Sequence, residues 1–210
     1  RVLTTEVSSI SVATAEANDG SYTWAVAEGK STQAKIRLIA VDKSGNVSVL
    51  NEGNFFIDST APTNEITITA PTSETIWPGG SSQNITWTGG PFTDNYAMAV
   101  NPITLEYYDG SAWQEIANTE ADDGSYTWNP VASLDRSDVQ IRLIAEDAAG
   151  NADTLASDVF TIDSSVPEID SIYAAEDGLY GIGETVTIYV ALNEAVEVDT
   201  TGGMADSIYL

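Results

Sequence analysis

One stretch of this chain is written twice, and the spacing of the copies sets the size of the folding unit. Ser21-Tyr22-Thr23-Trp24 returns as Ser125-Tyr126-Thr127-Trp128, and Ile36-Arg37-Leu38-Ile39-Ala40 returns as Ile141-Arg142-Leu143-Ile144-Ala145. Asp42-Lys43-Ser44-Gly45-Asn46 becomes Asp147-Ala148-Ala149-Gly150-Asn151, and Phe55 to Pro62 becomes Phe160 to Pro167. The offset is 104 residues up to the Trp and 105 after it. A period of that length is one domain, so the chain reads as an array of domains. Residues 1–60 are then the later part of one repeat, 61–165 a complete repeat, and 166–210 the early part of a third.

Arg1 aligns near Leu105, and Leu210 falls at nearly the same phase of the third copy. Two expectations follow. The sequence is a piece of a longer array, or its open ends complement each other between molecules. In the second case residues 167–210 would supply the early strands that residues 1–58 lack, the chemistry of strand donation.

Within the complete repeat the apolar pattern has period 2, with turns rich in Gly, Asn, Asp, Ser and Pro. Strands are predicted at 65–70, 84–88, 103–108, 113–118, 125–128, 139–146 and 158–162. Asp109-Gly110 and Asp123-Gly124 mark hairpin turns. In the strand at 139–146, Val139, Ile141, Leu143 and Ala145 point one way, while Ile144 breaks the polarity of the other face. About seven short strands in about a hundred residues, with no amphipathic helix, fit a two-sheet antiparallel sandwich. Trp87, Tyr126, Trp128, Leu143 and Phe160 are the predicted core, and Tyr22, Trp24, Leu38 and Phe55 hold the matching places in the first copy. In the third segment, strands are predicted at 185–192, 193–198 and 207–210.

The charge excludes some partners. With 32 acidic and 7 basic residues the net charge is −25, and no basic residue follows Arg142. Phosphate backbones need clustered Lys and Arg, so nucleic acid is excluded as a natural partner, and anionic membrane surfaces are disfavoured. There is no run of 18 apolar residues, so direct membrane insertion by this segment is not expected. Cysteine and histidine are both absent. That removes thiolate and imidazole zinc sites and the Ser-His-Asp and Cys-His nucleophiles. Nothing marks two of the acids as a glycosidase pair, and no catalytic residue is assigned.

The segments Phe55 to Pro62 and Phe160 to Pro167, an apolar strand followed by Asp, small residues and Pro, resemble the ends of bacterial immunoglobulin-like repeats. The Asp-x-x-Gly-Asn turns at Asp42 and Asp147, and the segment Gly181 to Val196, are similar to further features of such repeats. The resemblance is to the Big and fibronectin-III-like tandem repeats of large extracellular adhesin or surface-filament proteins. It implies an all-β chain of tandem immunoglobulin-like antiparallel β-sandwich domains outside the cell. The role implied is spacing and load-bearing in an adhesin stalk, sheath or filament. The alternatives are a carbohydrate- or surface-binding module and a non-catalytic spacer of a secreted enzyme. Partners would be other copies or neighbouring repeats, or surface glycans.

Calcium is the one cofactor to weigh. It takes about six to eight oxygen ligands, and no EF-hand loop is present. Sandwich geometry brings the exit of one domain to the loops of the next. Asp58 would then approach the Asp147–Asn151 turn and the Asp94-Asn95 loop, and Asp163 would approach Asn193 and Glu194. The candidate ligands are Asp58, Asp94, Asp147, Asn151 and Asp163. The competing reading is local: Asp-x-x-Gly-Asn is a tight turn whose Asp caps its own backbone. For surface binding, Tyr96, Tyr107, Tyr108 and Trp113 form the candidate aromatic patch, with Trp77 less certain. Asn46 and Asn84 open glycosylation sequons.

Overall fold

A computed structural model describes residues 9–63, 65–175 and 178–196. The described residues are all β, in three units. A hairpin of β1 (Ser31–Val41) and β2 (Val47–Ile57) comes first. The middle unit holds β3 (Thr67–Ala70), β4 (Ile76–Pro78), β5 (Gln83–Thr88), β6 (Met98–Tyr108), β7 (Trp113–Glu120) and β8 (Ser125–Trp128). It continues with β9 (Arg136–Asp147), β10 (Ala152–Ala156) and β11 (Phe160–Asp163). β12 (Ile169–Ala174) and β13 (Ile188–Leu192) form a last antiparallel pair.

In the middle unit β3-β5-β8 form one sheet and β4-β11-β9-β6-β7 the other, with β10 also on β9. Every pairing is antiparallel except β4 with β11. This is an immunoglobulin-like β-sandwich. The alternation read from the sequence is the cause. Val139, Ile141, Leu143 and Ala145 are all buried on the inner face of β9, against Ile85 and Trp87 of β5. Each such side chain taken from water stabilises the fold by about 1.5–3 kcal/mol. Trp77, Trp128 and Phe160 lock edge to face, with Trp77 5.0 Å from Phe160 and 6.3 Å from Trp128 between ring centres. Asp122 joins the sheet to its loops, accepting the Trp87 indole N–H at 3.0 Å and the Phe92 backbone N–H at 2.6 Å.

Several expectations are corrected. Trp77 is core, not a surface aromatic: β4 lays it between the sheets, where it is 7% exposed. β4 and β10 were not foreseen, because three residues ending in Pro and the mixed Ala-Asp-Thr-Leu-Ala carry little period-2 signal. Tyr126 is only partly buried. In the first unit Tyr22 and Leu38 are exposed, and Trp24 and Phe55 are half-buried, touching edge to face at 6.4 Å. Among the described residues no second sheet lies over them as β3-β5-β8 lies over their counterparts. In the third unit the strand is Ile188–Leu192, and Asn193 and Glu194 form a bend rather than a strand. The remainder of the strand predicted at 193–198, and that at 207–210, lie outside the described residues beyond Val196.

One glycine is fixed by close packing. Gly89 has φ +118°, and a Cβ there would run into the carbonyl oxygen of Glu65 and the Cα of Ile66. Gly89→Ala is expected to destabilise the middle sandwich by about 2 kcal/mol or more, from backbone strain added to a clash with main chain. Urea denaturation followed by tryptophan fluorescence measures it.

Candidate metal centre at a unit junction

The turn after β9 is built by its own side chain. Asp147 Oδ1 accepts the backbone N–H groups of Ala149 at 2.8 Å and Asn151 at 2.9 Å, and Oδ2 accepts Asn151 Nδ2 at 2.7 Å. Gly150 supplies the left-handed φ of +91° that closes it. Asp42 repeats the design in the first unit, taking Ser44 N, Asn46 N and Asn46 Nδ2. The local reading of this motif is therefore realised in both copies. The two turns differ in surroundings: Asp147 is 2% exposed, while Asp42 faces solvent. Burial pushes the Asp147 carboxyl up, but the hydrogen bonds from Asn151, Ala149 and Gly150 outweigh it and hold the group below its usual range.

The second element is the linker after β2. Asp58 Oδ1 caps Thr60 N at 3.0 Å, and Oδ2 accepts Asn95 Nδ2 at 3.0 Å. The Asp58 carbonyl receives Asn151 Nδ2 at 3.3 Å. The third is the loop between β5 and β6, where Asp94 Oδ2 accepts Tyr96 N at 2.6 Å. Asp94 Oδ1 is buried without a hydrogen-bond partner.

Asp58, Asp94 and Asp147 thus each bring a carboxylate oxygen to within 4.8 Å of the other two. Asn151 joins them through its hydrogen bonds to Asp58 and Asp147. Neither ion pair among the described residues, Arg136 with Asp138 and Arg142 with Glu106, touches the cluster. Three like charges at this spacing repel, and a hard divalent cation is the partner that oxygen donors of this kind suit. The orphaned Asp94 oxygen is the donor that fits such an ion. Asp163 lies at the other junction, capping Ser165 N at 3.0 Å, with Glu194 3.4 Å from the Ser165 hydroxyl. Asn193 Oδ1 there accepts Glu168 N at 2.8 Å.

The aromatic candidates are dispersed. Tyr107 turns inward and packs on Trp128 at 4.9 Å. Tyr108 and Trp113 meet across β6 and β7 at 5.6 Å, and the Arg142 guanidinium lies 4.3 Å from the Trp113 ring centre. Tyr96 sits beyond the far end of β6 and stacks on Phe56 of the first unit at 4.3 Å. Phe56 and Tyr96 line an open cleft of about 440 Å³ with Lys30, Asp58 and Asn95. The Phe56–Tyr96 contact escaped sequence reading. Its only signal was the pair Phe55-Phe56, of which alternation must turn one ring outward.

No protein-family model matches the chain, and no curated protein matches it. Solved structures do. The fibronectin(III)-like modules of Clostridium thermocellum CbhA align at 21% identity and a TM-score of 0.38, over 60% of each chain. A Ca2+-stabilised adhesin that helps an Antarctic bacterium bind ice aligns at 15% identity and a TM-score of 0.36, over 66% of this chain and 34% of that one. The chain therefore spans under two thirds of the length of either. No helix among the described residues is long and apolar enough to cross a membrane.

Proposed function

We propose that this chain is a non-catalytic structural segment of a secreted or cell-surface protein, in which immunoglobulin-like sandwiches in tandem hold their neighbours at fixed spacing. The observation that carries this reading is the junction after β2. Linker, loop and turn from two units meet there at Asp58, Asn95 and Asn151, and Phe56 stacks on Tyr96 beside them. A linker of five residues, Asp58 to Pro62, with its first residue held on both carboxylate and carbonyl, resists bending, and Pro62 restricts it further. Such a junction transmits load along an array.

Calcium completes the proposal. Asp58, Asp94 and Asp147 would hold the ion, with the Asp94 oxygen as the donor that gains most. The ion's chemistry is neutralisation of three carboxylates on two units, which ties stiffness to the calcium-rich medium outside cells. The net charge of −25 keeps parallel copies apart in the same medium. Ring stacking on a glycan has less support, because Arg142 occupies one face of Trp113.

The test is thermal unfolding and small-angle scattering of the whole chain in calcium and in chelator. Calcium at a hundred times its Kd should stabilise by about 2.7 kcal/mol and narrow the spread of inter-unit distances. Asp94→Asn should abolish both responses and leave the chelated protein at least as stable, since one of three repelling charges is gone and the amide oxygen still caps Tyr96. Identical curves with and without millimolar calcium would eliminate the ion. A broad distribution of inter-unit distances under both conditions would eliminate the stiff spacer.

A further inference from the structure

Each linker begins Asp-Ser, and in the first the two side chains work in opposite directions. Asp58 reaches forward to Asn95 of the next unit. Ser59 reaches back into its own unit: its hydroxyl accepts the Gly29 N–H at 2.9 Å and donates to the Gly29 carbonyl at 3.0 Å. Ser164, the counterpart in the second linker, also reaches back. Its hydroxyl donates to the Leu134 carbonyl at 3.0 Å, and in both copies the acceptor lies 30 residues upstream of the serine. Leu134 stands just ahead of β9 as Gly29 stands just ahead of β1. The second bond differs. Asp135 accepts the Ser164 backbone N–H at 2.7 Å, whereas Lys30 holds the matching place in the first copy and the Gly29 N–H serves instead.

The complete repeat closes this clamp from a third side. β4 ends at Pro78, and the Gly79 N–H then donates to the Asp163 carbonyl at 3.0 Å. The Gly80 N–H donates to the Val131 carbonyl and the Val131 N–H to the Ser81 carbonyl, both at 2.9 Å, so the glycine loop is pinned to a residue 1% exposed. A Cβ on Gly79 would stand 1.8 Å from the Ser164 hydroxyl oxygen and 3.1 Å from the Ser133 Cα. Only glycine there leaves room for the serine to seat.

We propose that Ser59 and Ser164 are positioning residues that fix the direction in which the chain leaves one unit for the next. Each linker residue brings two soft torsions. With Asp163 held at its carbonyl and Ser164 at its N–H and hydroxyl, the pivot moves from the end of β11 to beyond Ser164. Pro167 then fixes one of the few torsions that remain. The bond from hydroxyl to carbonyl involves no charged group, so it holds in chelator and acts apart from the junction calcium. This inference rests on the spacer reading, and its test separates the two.

The experiment is double electron–electron resonance on the whole chain in chelator. The chain has no cysteine, so Thr88→Cys and Ser171→Cys, both at exposed positions, place one spin label on each side of the second linker. The otherwise unchanged chain should give a narrow distance distribution. Ser164→Ala should widen it, and so should Gly79→Ala, which keeps the hydroxyl but expels it from its seat. Ser165→Ala, which loses contacts only to Asp163 and Glu194, should leave it narrow. Amide exchange gives the size: in Ser164→Ala the Gly79 and Ser164 N–H groups should exchange faster by about 2- to 12-fold, the range for one net hydrogen bond. Tryptophan emission checks that the sandwich is folded in every variant. A narrow distribution retained in Ser164→Ala overturns the inference and leaves the spacer standing. A broad distribution before any change to Ser164 overturns the spacer, and the clamp with it.

Discussion

Leu143→Ala is expected to destabilise the middle sandwich by about 3–5 kcal/mol, the range for a leucine truncated in a closed core. Leu143 is 0% exposed at the centre of β9, between Leu105 across the ladder and Leu155 on β10. The inter-sheet space around it is filled by Ile85, Trp87 and Phe160, so little collapse can fill the hole. For a domain of about a hundred residues, each kcal/mol lowers the melting midpoint by about 4–8 °C, so a fall of at least about 12 °C is the readout. Leu38→Ala changes the same residue in the same pentapeptide of the first repeat. It is expected to cost less than about 0.5 kcal/mol, because the side chain already faces water. Calorimetry on the two variants measures the contrast. Equal destabilisation would mean that the first hairpin is buried within the single chain.

Asp147→Ala is expected to cost about 2–4 kcal/mol. It removes the acceptor for two backbone N–H groups and the Asn151 amide, at a site 2% exposed where water cannot replace it. It also frees Asn151, which holds the Asp58 carbonyl, so inter-unit order should fall with stability. The same change at Asp42, in a turn open to solvent, should leave the melting midpoint of the middle unit unchanged. Asp147 also sets a pH response. Its folded pKa is lowered, so its contribution is fully present above the unfolded value of about 3.9 and is lost as pH falls through the folded one. The wild type should therefore lose stability on acidification below about pH 4, and Asp147→Ala should lose less over that window. Urea midpoints measured at stepped pH give the comparison. Parallel wild-type and variant curves would remove Asp147 from the acid transition.

Much of the middle unit was legible because alternation leaves few solutions. Val139 to Ala145 could bury one face only as a strand, and the Asp-Gly hairpins fixed where neighbours turn back. The meeting of Asp58 with the Asp147 turn was legible for a different reason. Asp58 and Asp147 stand at the ends of elements whose places in a sandwich are set by topology, so their meeting could be inferred without side-chain detail. The burial of Trp77, the separation of Tyr96 from Tyr108, and the Arg142 guanidinium on Trp113 were not legible. Each depends on which surface faces which, and no local period encodes that.

Ser-Tyr-Thr-Trp states the division most sharply. At 125–128 it is strand β8, laddered to β5, with Trp128 in the core; at 21–24 the same four residues form no strand, and Tyr22 stands 54% exposed. The sequence alone determined the period, the alternation and the turns, because these arise from neighbours along the chain. Only the tertiary structure decided which faces meet, because a strand needs a partner for its backbone hydrogen bonds and a second sheet to keep water from its apolar face.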